Sequence, residues 1–151
     1  MGLLDFIKDA GRDIFGGKEG NEAETIKSEI ERDLGGNIRN LGVMYNNGKV
    51  TLQGEASSHA AREKAVLIAG NVRGVNSVDD DKLTVAGQAA AQTANYQANY
   101  YTIESGDTLS KIAQEKYGDA GKWNDIFEAN REVIKDPDKI YPGQRIRIPQ
   151  S

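Results

Sequence analysis

Residues 41–52 read LGVMYNNGKVTL, and this stretch decides the fold of the first half of the chain. Apolar residues alternate with others on both sides of a central turn, at Leu41, Val43, Tyr45, Val50 and Leu52. Such alternation is typical of half-buried strands. Between the two runs, Asn46-Asn47-Gly48 supplies residues that tolerate positive φ, which a tight hairpin needs. The stretch therefore predicts a β-hairpin with one apolar face.

The segment before the hairpin predicts a helix that covers this apolar face. Asn21 is a suitable N-cap, and Gly35-Gly36 provides the end. The apolar stripe of the helix is formed at steps of four residues by Ile26, Ile30 and Leu34.

The segment after the hairpin predicts a second helix over residues 60–69, and Ser57-Ser58 can cap its start. We expect Gly70 to end this helix by adopting the left-handed conformation. Further apolar residues predict one or two more strands, and these are Val75, Val78, Leu83 and Val85. Residues 17–86 are therefore predicted to form an α+β sandwich with its helices on one face.

Residues 1–16 predict a short amphipathic helix. Its apolar residues recur at helical spacing, at Leu3, Phe6, Ile7, Ala10 and Ile14, and Gly11 is a candidate terminator or kink. The segment is net acidic, whereas a helix at a membrane surface carries lysine and arginine on its polar face. We therefore expect this helix to dock on its own protein rather than on a membrane.

Residues 87–99 predict a linker, because they are rich in Ala, Gln, Thr and Asn and contain a single aromatic residue. Residues 100–151 predict a second small domain. In this domain we expect a strand at 101–103, helices at 108–117 and 123–130, and a strand at 145–148. This order is a βααβ unit.

The composition excludes several classes of protein. A formal net charge of −4 leaves no basic stripe with which to replace the counterions of a nucleic acid. The absence of cysteine excludes disulfides, thiolate metal sites and thiol nucleophiles. Residues 1–10 contain Asp5 and lack the basic leader and apolar core of a secretory signal, so we expect a cytoplasmic location.

Catalytic chemistry has no support in the sequence, and we expect a protein that is not an enzyme. His59 is the only histidine and lies at the start of a predicted helix, with no second strong ligand or base fixed near it. Asp79-Asp80-Asp81 lacks the acidic spacing, the glycine and the distal Glu of a calcium-binding EF-hand loop. We interpret these three residues as a solvated turn.

The C-terminal segment resembles a LysM domain. The resemblance rests on YTIESGDTLSKIA at residues 101–113, on Trp123, Ile126 and Asn130, and on IYPGQRIRIP at residues 140–149. It implies a shallow groove for N-acetylglucosamine polymers, with Gly106, Asp107, Thr108, Leu109 and Asn130 as candidate binding residues. Trp123 and Phe127 have helical spacing and are interpreted as core rather than as a platform for sugars.

The N-terminal half resembles a BON domain, through GKVTLQG at residues 48–54 and GVNSVDD at residues 74–80. With FIKDAG at residues 6–11 in front, the whole order is similar to the bacterial cytosolic potassium-binding proteins of BON–LysM architecture. This resemblance implies a K⁺ sensor or buffer that becomes more compact when the ion binds, and we expect it to be a monomer.

Potassium is a weakly hydrated ion that backbone carbonyls bind well. Free carbonyls occur where helices end, because the last four lack intrahelical partners and carry the negative end of the dipole. Residues 7–12 and 70–75 are two such ends. The resemblance implies that they converge on one ion through the carbonyls of Ile7, Ala10, Arg12, Gly70, Val72 and Val75. The alternative, that both are ordinary helix C-caps, stays open.

A second function stays open as well. In this alternative the chain is a cell-envelope protein, its LysM domain anchors it to peptidoglycan, and its BON domain contacts a membrane or a partner. In the cytoplasm, by contrast, binding to N-acetylglucosamine polymers is expected to be weak.

Overall fold

A computed structural model describes residues 3–6, 15, 20–87 and 99–149 of the chain. The N-terminal domain comprises β1 (Leu3–Asp5), α1 (Glu22–Leu34), a 3₁₀ turn (Gly35–Asn37), β2 (Ile38–Asn46), β3 (Lys49–Ala56), α2 (His59–Gly70) and β4 (Ser77–Val85). The C-terminal domain comprises β5 (Tyr100–Thr102), α3 (Leu109–Tyr117), a 3₁₀ turn (Ala120–Lys122), α4 (Trp123–Ala129) and β6 (Arg145–Arg147). Among the described helices, none is long and apolar enough to cross a bilayer.

The predicted hairpin is confirmed. Only Asn47 and Gly48 lie between β2 and β3, and their φ angles are 48° and 90°. Positive φ at both central residues is what a type I′ turn requires, and this turn matches the twist of the strands that it joins. The register pairs Tyr45 with Val50 and directs both side chains toward the helices.

The sheet of the N-terminal domain has the order β1-β4-β3-β2. Strands β3 and β4 are parallel and α2 connects them, while the other neighbours are antiparallel. Helices α1 and α2 bury their apolar sides against this sheet. The largest fully buried side chains of the domain are Ile26, Ile30, Val50, Leu52, Val66, Leu67, Val72 and Leu83. The mixture of helices and strands confirms the predicted α+β fold class.

The predicted N-terminal helix is wrong at its first residues. Leu3–Asp5 forms β1, which pairs antiparallel with β4 and places Leu4 opposite Val78. The reason is that the outer edge of β4 offers unpaired backbone groups, and pairing with them outweighs a local helical pattern. Residues 7–14 of the predicted helix lie outside the described residues.

The C-terminal domain has the predicted βααβ order. Strands β5 and β6 pair antiparallel with Tyr101 opposite Ile146. Thr108 caps α3, because its side chain accepts a hydrogen bond from the Lys111 N–H at 3.1 Å. A separate apolar core fills the space between the two helices and the two strands, and its members are Ile103, Leu109, Ile112, Ala113, Ile126, Ile134, Ile146 and Ile148.

Candidate functional site

The chain turns sharply between the end of α2 and the start of β4, and we call residues 70–76 the α2 turn. Two backbone hydrogen bonds shape it, from the Asn71 N–H to the Leu67 carbonyl (3.0 Å) and from the Val75 N–H to the Val72 carbonyl (3.0 Å). Val72 and Val75 are fully buried, so both side chains anchor the turn in the core. The turn, which follows the last residues of α2, is thus held in place by the core.

Gly70 does not have the predicted left-handed conformation. It is the last residue of α2, and the left-handed glycine of the turn is Gly74, with φ of 104°. Glycine is needed at position 70 for a different reason. A Cβ atom there would lie 2.0 Å from Cζ of Phe6, so the ring occupies the space that a side chain would need.

Phe6 anchors the N-terminal segment on the α2 turn. Its ring covers Gly70, its N–H donates to the Asn76 carbonyl at 2.8 Å, and the residue is buried. The sequence pattern assigned Phe6 to the apolar side of a helix. The pattern gave no indication that the ring would pack on the end of α2.

Phe15 anchors the same segment at the other end of the α2 turn. Its ring lies 5.7 Å from the ring of Tyr45 in an edge-to-face arrangement, and 3.5 Å from the position of a Cβ atom on Gly74. The Tyr45 hydroxyl donates to the Gly74 carbonyl at 3.3 Å. Residues 6 and 15 therefore both contact the α2 turn.

The candidate K⁺ ligands divide into two groups. Gly70, Val72 and Val75 all belong to the α2 turn, where the Val72 carbonyl accepts a hydrogen bond from the Val75 N–H. Ile7, Ala10 and Arg12 lie outside the described residues, between the two aromatic anchors.

Side-chain ligands for a metal ion are a separate question. Within the described ranges, no group of three or more His, Cys, Asp or Glu residues is placed to hold one. Asp79, Asp80 and Asp81 lie in β4 and not in the predicted solvated turn. Asp80 contacts Arg62 at 3.3 Å; burial raises the pKa of its carboxyl group, and the guanidinium partly opposes that rise.

The two domains contact each other at the α2 turn. The amide side chain of Asn71 donates to the Arg145 carbonyl (2.6 Å) and accepts from the Arg145 N–H (2.8 Å). The Arg145 guanidinium lies 5.8 Å from the centre of the Phe6 ring and 5.7 Å from that of Tyr100. Strand β6 of the C-terminal domain therefore lies directly beside the turn.

Further contacts extend this interface along α2. Glu63 faces Arg147 at 3.5 Å, and Lys64 faces Glu132 at 3.3 Å. Tyr100 packs on the core of the N-terminal domain, and burial raises the pKa of its hydroxyl group. The interface combines apolar packing with partly buried ion pairs.

The C-terminal domain contains a separate pocket of about 400 Å³. Its lining residues are Asp107, Thr108, Leu109, Ser110, Trp123, Pro137, Asp138 and Ile140. Asp107 fixes the loop at one wall, because its carboxylate accepts hydrogen bonds from the Tyr101 hydroxyl (2.5 Å) and from the Glu104 N–H (2.9 Å). The hydrogen bond to Asp107 raises the pKa of Tyr101.

The candidate sugar-binding residues are placed unequally. Asp107, Thr108 and Leu109 line the pocket, whereas Gly106 is not among its lining residues. Asn130 is buried, and its amide side chain pairs with the backbone of Arg147. Trp123 is 38% exposed and lines the pocket, so its interpretation as a core residue is wrong. It is the first residue of α4, whose buried residue is Ile126.

Comparison with known proteins divides the chain in the same way. The family model of the BON domain matches residues 20–87, and that of the LysM domain matches residues 101–149. Over an alignment of 155 positions, gaps included, the chain is 37% identical to the potassium binding protein Kbp of Escherichia coli, and the match covers 99% of both chains. An uncharacterized protein of Deinococcus radiodurans is 37% identical over 114 residues, which are 72% of this chain and 44% of that protein. The protein YqbP of Bacillus subtilis is 39% identical over 59 residues, 33% of this chain and 27% of its own length.

Proposed function

This chain belongs to the family of the Escherichia coli potassium binding protein Kbp, and from that premise we propose that it binds K⁺ at the α2 turn. The ligands are the backbone carbonyls of Gly70, Val72 and Val75, together with those of Ile7, Ala10 and Arg12. Carbonyl oxygens suit K⁺ because they replace a weakly held hydration shell without adding a charge.

Phe6 and Phe15 carry the proposal. Both contact the α2 turn, one over Gly70 and the other beside Gly74. Residues 7–14 join the two anchors, so the chain enters and leaves this stretch beside the turn. An ion between the two backbone segments would neutralise the negative end of the α2 dipole.

The cellular role that fits this site is a cytoplasmic K⁺ sensor or buffer without catalytic activity. Ion binding would draw residues 7–12 onto the α2 turn, and this would make the protein more compact. Because the turn also contacts β6, the same event would favour packing of the LysM domain on the BON domain.

Thermal unfolding in KCl and in NaCl at equal ionic strength tests the proposal. An ion that binds only the folded protein stabilises it by about 2.7 kcal/mol at a hundredfold excess over Kd. We expect a higher melting temperature in KCl, because a carbonyl cage discriminates between the two ions. Identical melting curves in the two salts would contradict K⁺ binding.

The pocket of the LysM domain supports a second activity, the binding of N-acetylglucosamine polymers. The partly exposed Trp123 in its lining favours this activity, since an aromatic ring in a pocket is suited to apolar contact with a sugar ring. A pull-down with isolated peptidoglycan at about 0.15 M salt, a physiological ionic strength, tests this activity. Strong retention, together with fractionation of the protein in the cell envelope, would replace the cytoplasmic function with an envelope function.

A further inference from the structure

The outer edge of β6 is paired by two asparagine side chains instead of a third strand. Asn130, from the same domain, donates to the Arg147 carbonyl (2.8 Å) and accepts from the Arg147 N–H (2.8 Å). Asn71, from the BON domain, makes the same pair of hydrogen bonds with Arg145. Each amide therefore bonds to both the N–H and the carbonyl of one edge residue, as the backbone of a neighbouring strand would.

Asn71 also lies inside the proposed ion site. It follows Gly70 and precedes Val72, and it is the C-cap of α2. Only 6% of the residue is exposed, so the amide is held in one orientation by its two bonds to β6. The amide thus links β6 directly to the residue between two of the proposed ligands, Gly70 and Val72.

We propose that Asn71 is a positioning residue through which the LysM domain completes the K⁺ site, although it contributes no ligand to it. This inference rests on the proposed function. Domain packing sets the carbonyl directions at Gly70 and Val72, and K⁺ binding in turn stabilises domain packing. The two effects are equal, because coupling between two binding events is reciprocal.

The test variant is Asn71→Leu, which keeps the approximate volume of the side chain and removes both hydrogen bonds to Arg145. We expect K⁺ affinity, measured by titration calorimetry, to fall about five- to tenfold, the lower range of typical coupling between sites. We also expect small-angle scattering to show that K⁺ at saturation no longer reduces the radius of gyration. A residue that only stabilised the fold would leave this K⁺ response of the shape intact.

Lys64→Met provides the matched control at the same interface. Lys64 also lies on α2 and contacts Glu132 of the LysM domain, but it precedes the turn and none of its described hydrogen bonds reaches the turn. We expect the K⁺ affinity of Lys64→Met to lie within about twofold of that of the unchanged protein. The reason is that a partly exposed ion pair contributes little to the free energy of domain packing.

Arg145→Pro tests the same contact from the other domain, and it serves if Asn71→Leu fails to fold. Proline removes the Arg145 N–H, which donates the hydrogen bond to the Asn71 side chain. The pairing of β6 with β5 does not use this N–H, because it depends on the backbone groups of the residues next to Arg145. Proline is tolerated at such an outward-facing edge position. We expect Arg145→Pro to weaken K⁺ binding, and Arg145→Ala, which retains the N–H, to weaken it less.

The outcomes separate the two proposals. If the unchanged protein shows no K⁺ dependence by calorimetry or melting, the proposed function fails. If the unchanged protein binds K⁺ and both Asn71→Leu and Arg145→Pro bind it equally well, only the role of Asn71 is overturned. Weakened binding in both variants, with Lys64→Met near normal, supports that role.

Discussion

Residue 70 illustrates how one missing Cβ atom determines the position of a distant segment. Because Gly70 leaves a space at the end of α2, the ring of Phe6 can lie directly on the helix backbone. That contact holds Phe6 against the turn that contains three of the candidate ligands. The identity of a single residue in α2 therefore helps to fix the N-terminal segment, beside the pairing of β1 with β4.

We predict that Gly70→Ala displaces Phe6 and weakens K⁺ binding. The new methyl group would lie about 2 Å from the ring, and overpacking of this kind costs about 1–3 kcal/mol. Urea unfolding and K⁺ titration measure the two effects. Gly36→Ala is the control, because a Cβ atom there meets nothing within 4 Å. Equal behaviour of the two variants would show that the Phe6 contact is unimportant.

The β2–β3 hairpin is hydrogen-bonded to the α2 turn and to the start of β4. The Gly48 carbonyl accepts hydrogen bonds from the Asn76 N–H (2.8 Å) and the Ser77 N–H (3.3 Å). The Tyr45 hydroxyl, also on this hairpin, donates to the Gly74 carbonyl. These hydrogen bonds hold the hairpin turn against the α2 turn. We therefore expect a change in the backbone of one turn to alter the backbone of the other.

We predict that Gly48→Ala destabilises the BON domain and lowers its affinity for K⁺. A Cβ atom there would lie 3.1 Å from the Gly74 carbonyl oxygen and 3.0 Å from Oδ1 of Asn76, and φ is 90°. The backbone strain alone costs about 1–2 kcal/mol.

The variant Gly20→Ala separates the effect of backbone strain from the effect of steric crowding at Gly48. Gly20 has a similar φ of 94°, and a Cβ atom on it meets nothing within 4 Å. We expect Gly20→Ala to lose stability by a similar strain but to retain K⁺ affinity. If both variants lose affinity alike, the hairpin does not support the site through its contacts with the turn.

At the scale of the whole molecule, the LysM pocket and the contact with the BON domain use different residues of the LysM domain. The pocket is lined by residues 107–110, 123, 137, 138 and 140. The described contacts with the BON domain use other residues of the domain, among them Tyr100, Glu132, Arg145 and Arg147. Packing of the domains against each other therefore leaves the pocket open.

We predict that K⁺ does not change the affinity of the LysM domain for N-acetylglucosamine oligomers. Calorimetric titration in KCl and in NaCl should give dissociation constants within about twofold, well below the fivefold or more that is typical of coupled sites. Trp123→Ala should weaken binding about three- to tenfold, as expected for loss of one aromatic contact. A clear dependence on K⁺ would mean that domain packing does reach the pocket.

The sequence predicted local structure well and contacts between segments poorly. The hairpin and the order of elements follow from alternation, caps and turn residues that are visible over short windows, as at Asn47-Gly48. The strand at Leu3–Asp5, the ring of Phe6 on Gly70 and the amide of Asn71 on β6 each depend on a partner far away in the chain. The domain boundaries at 17–86 and 100–151, and all six carbonyl ligands in residues 7–12 and 70–75, stay predictions.

The paired amides on β6 have a consequence for measuring domain separation. The Arg147 N–H is held within the LysM domain, while the Arg145 N–H, on the same edge, is held by the BON domain. Hydrogen exchange at Arg147 requires local opening of the LysM domain, whereas exchange at Arg145 requires only that the domains part. When reclosing is fast, the protection factor of the Arg145 N–H therefore reports the free energy of domain separation, and that of the Arg147 N–H serves as an internal reference for opening of the LysM domain itself.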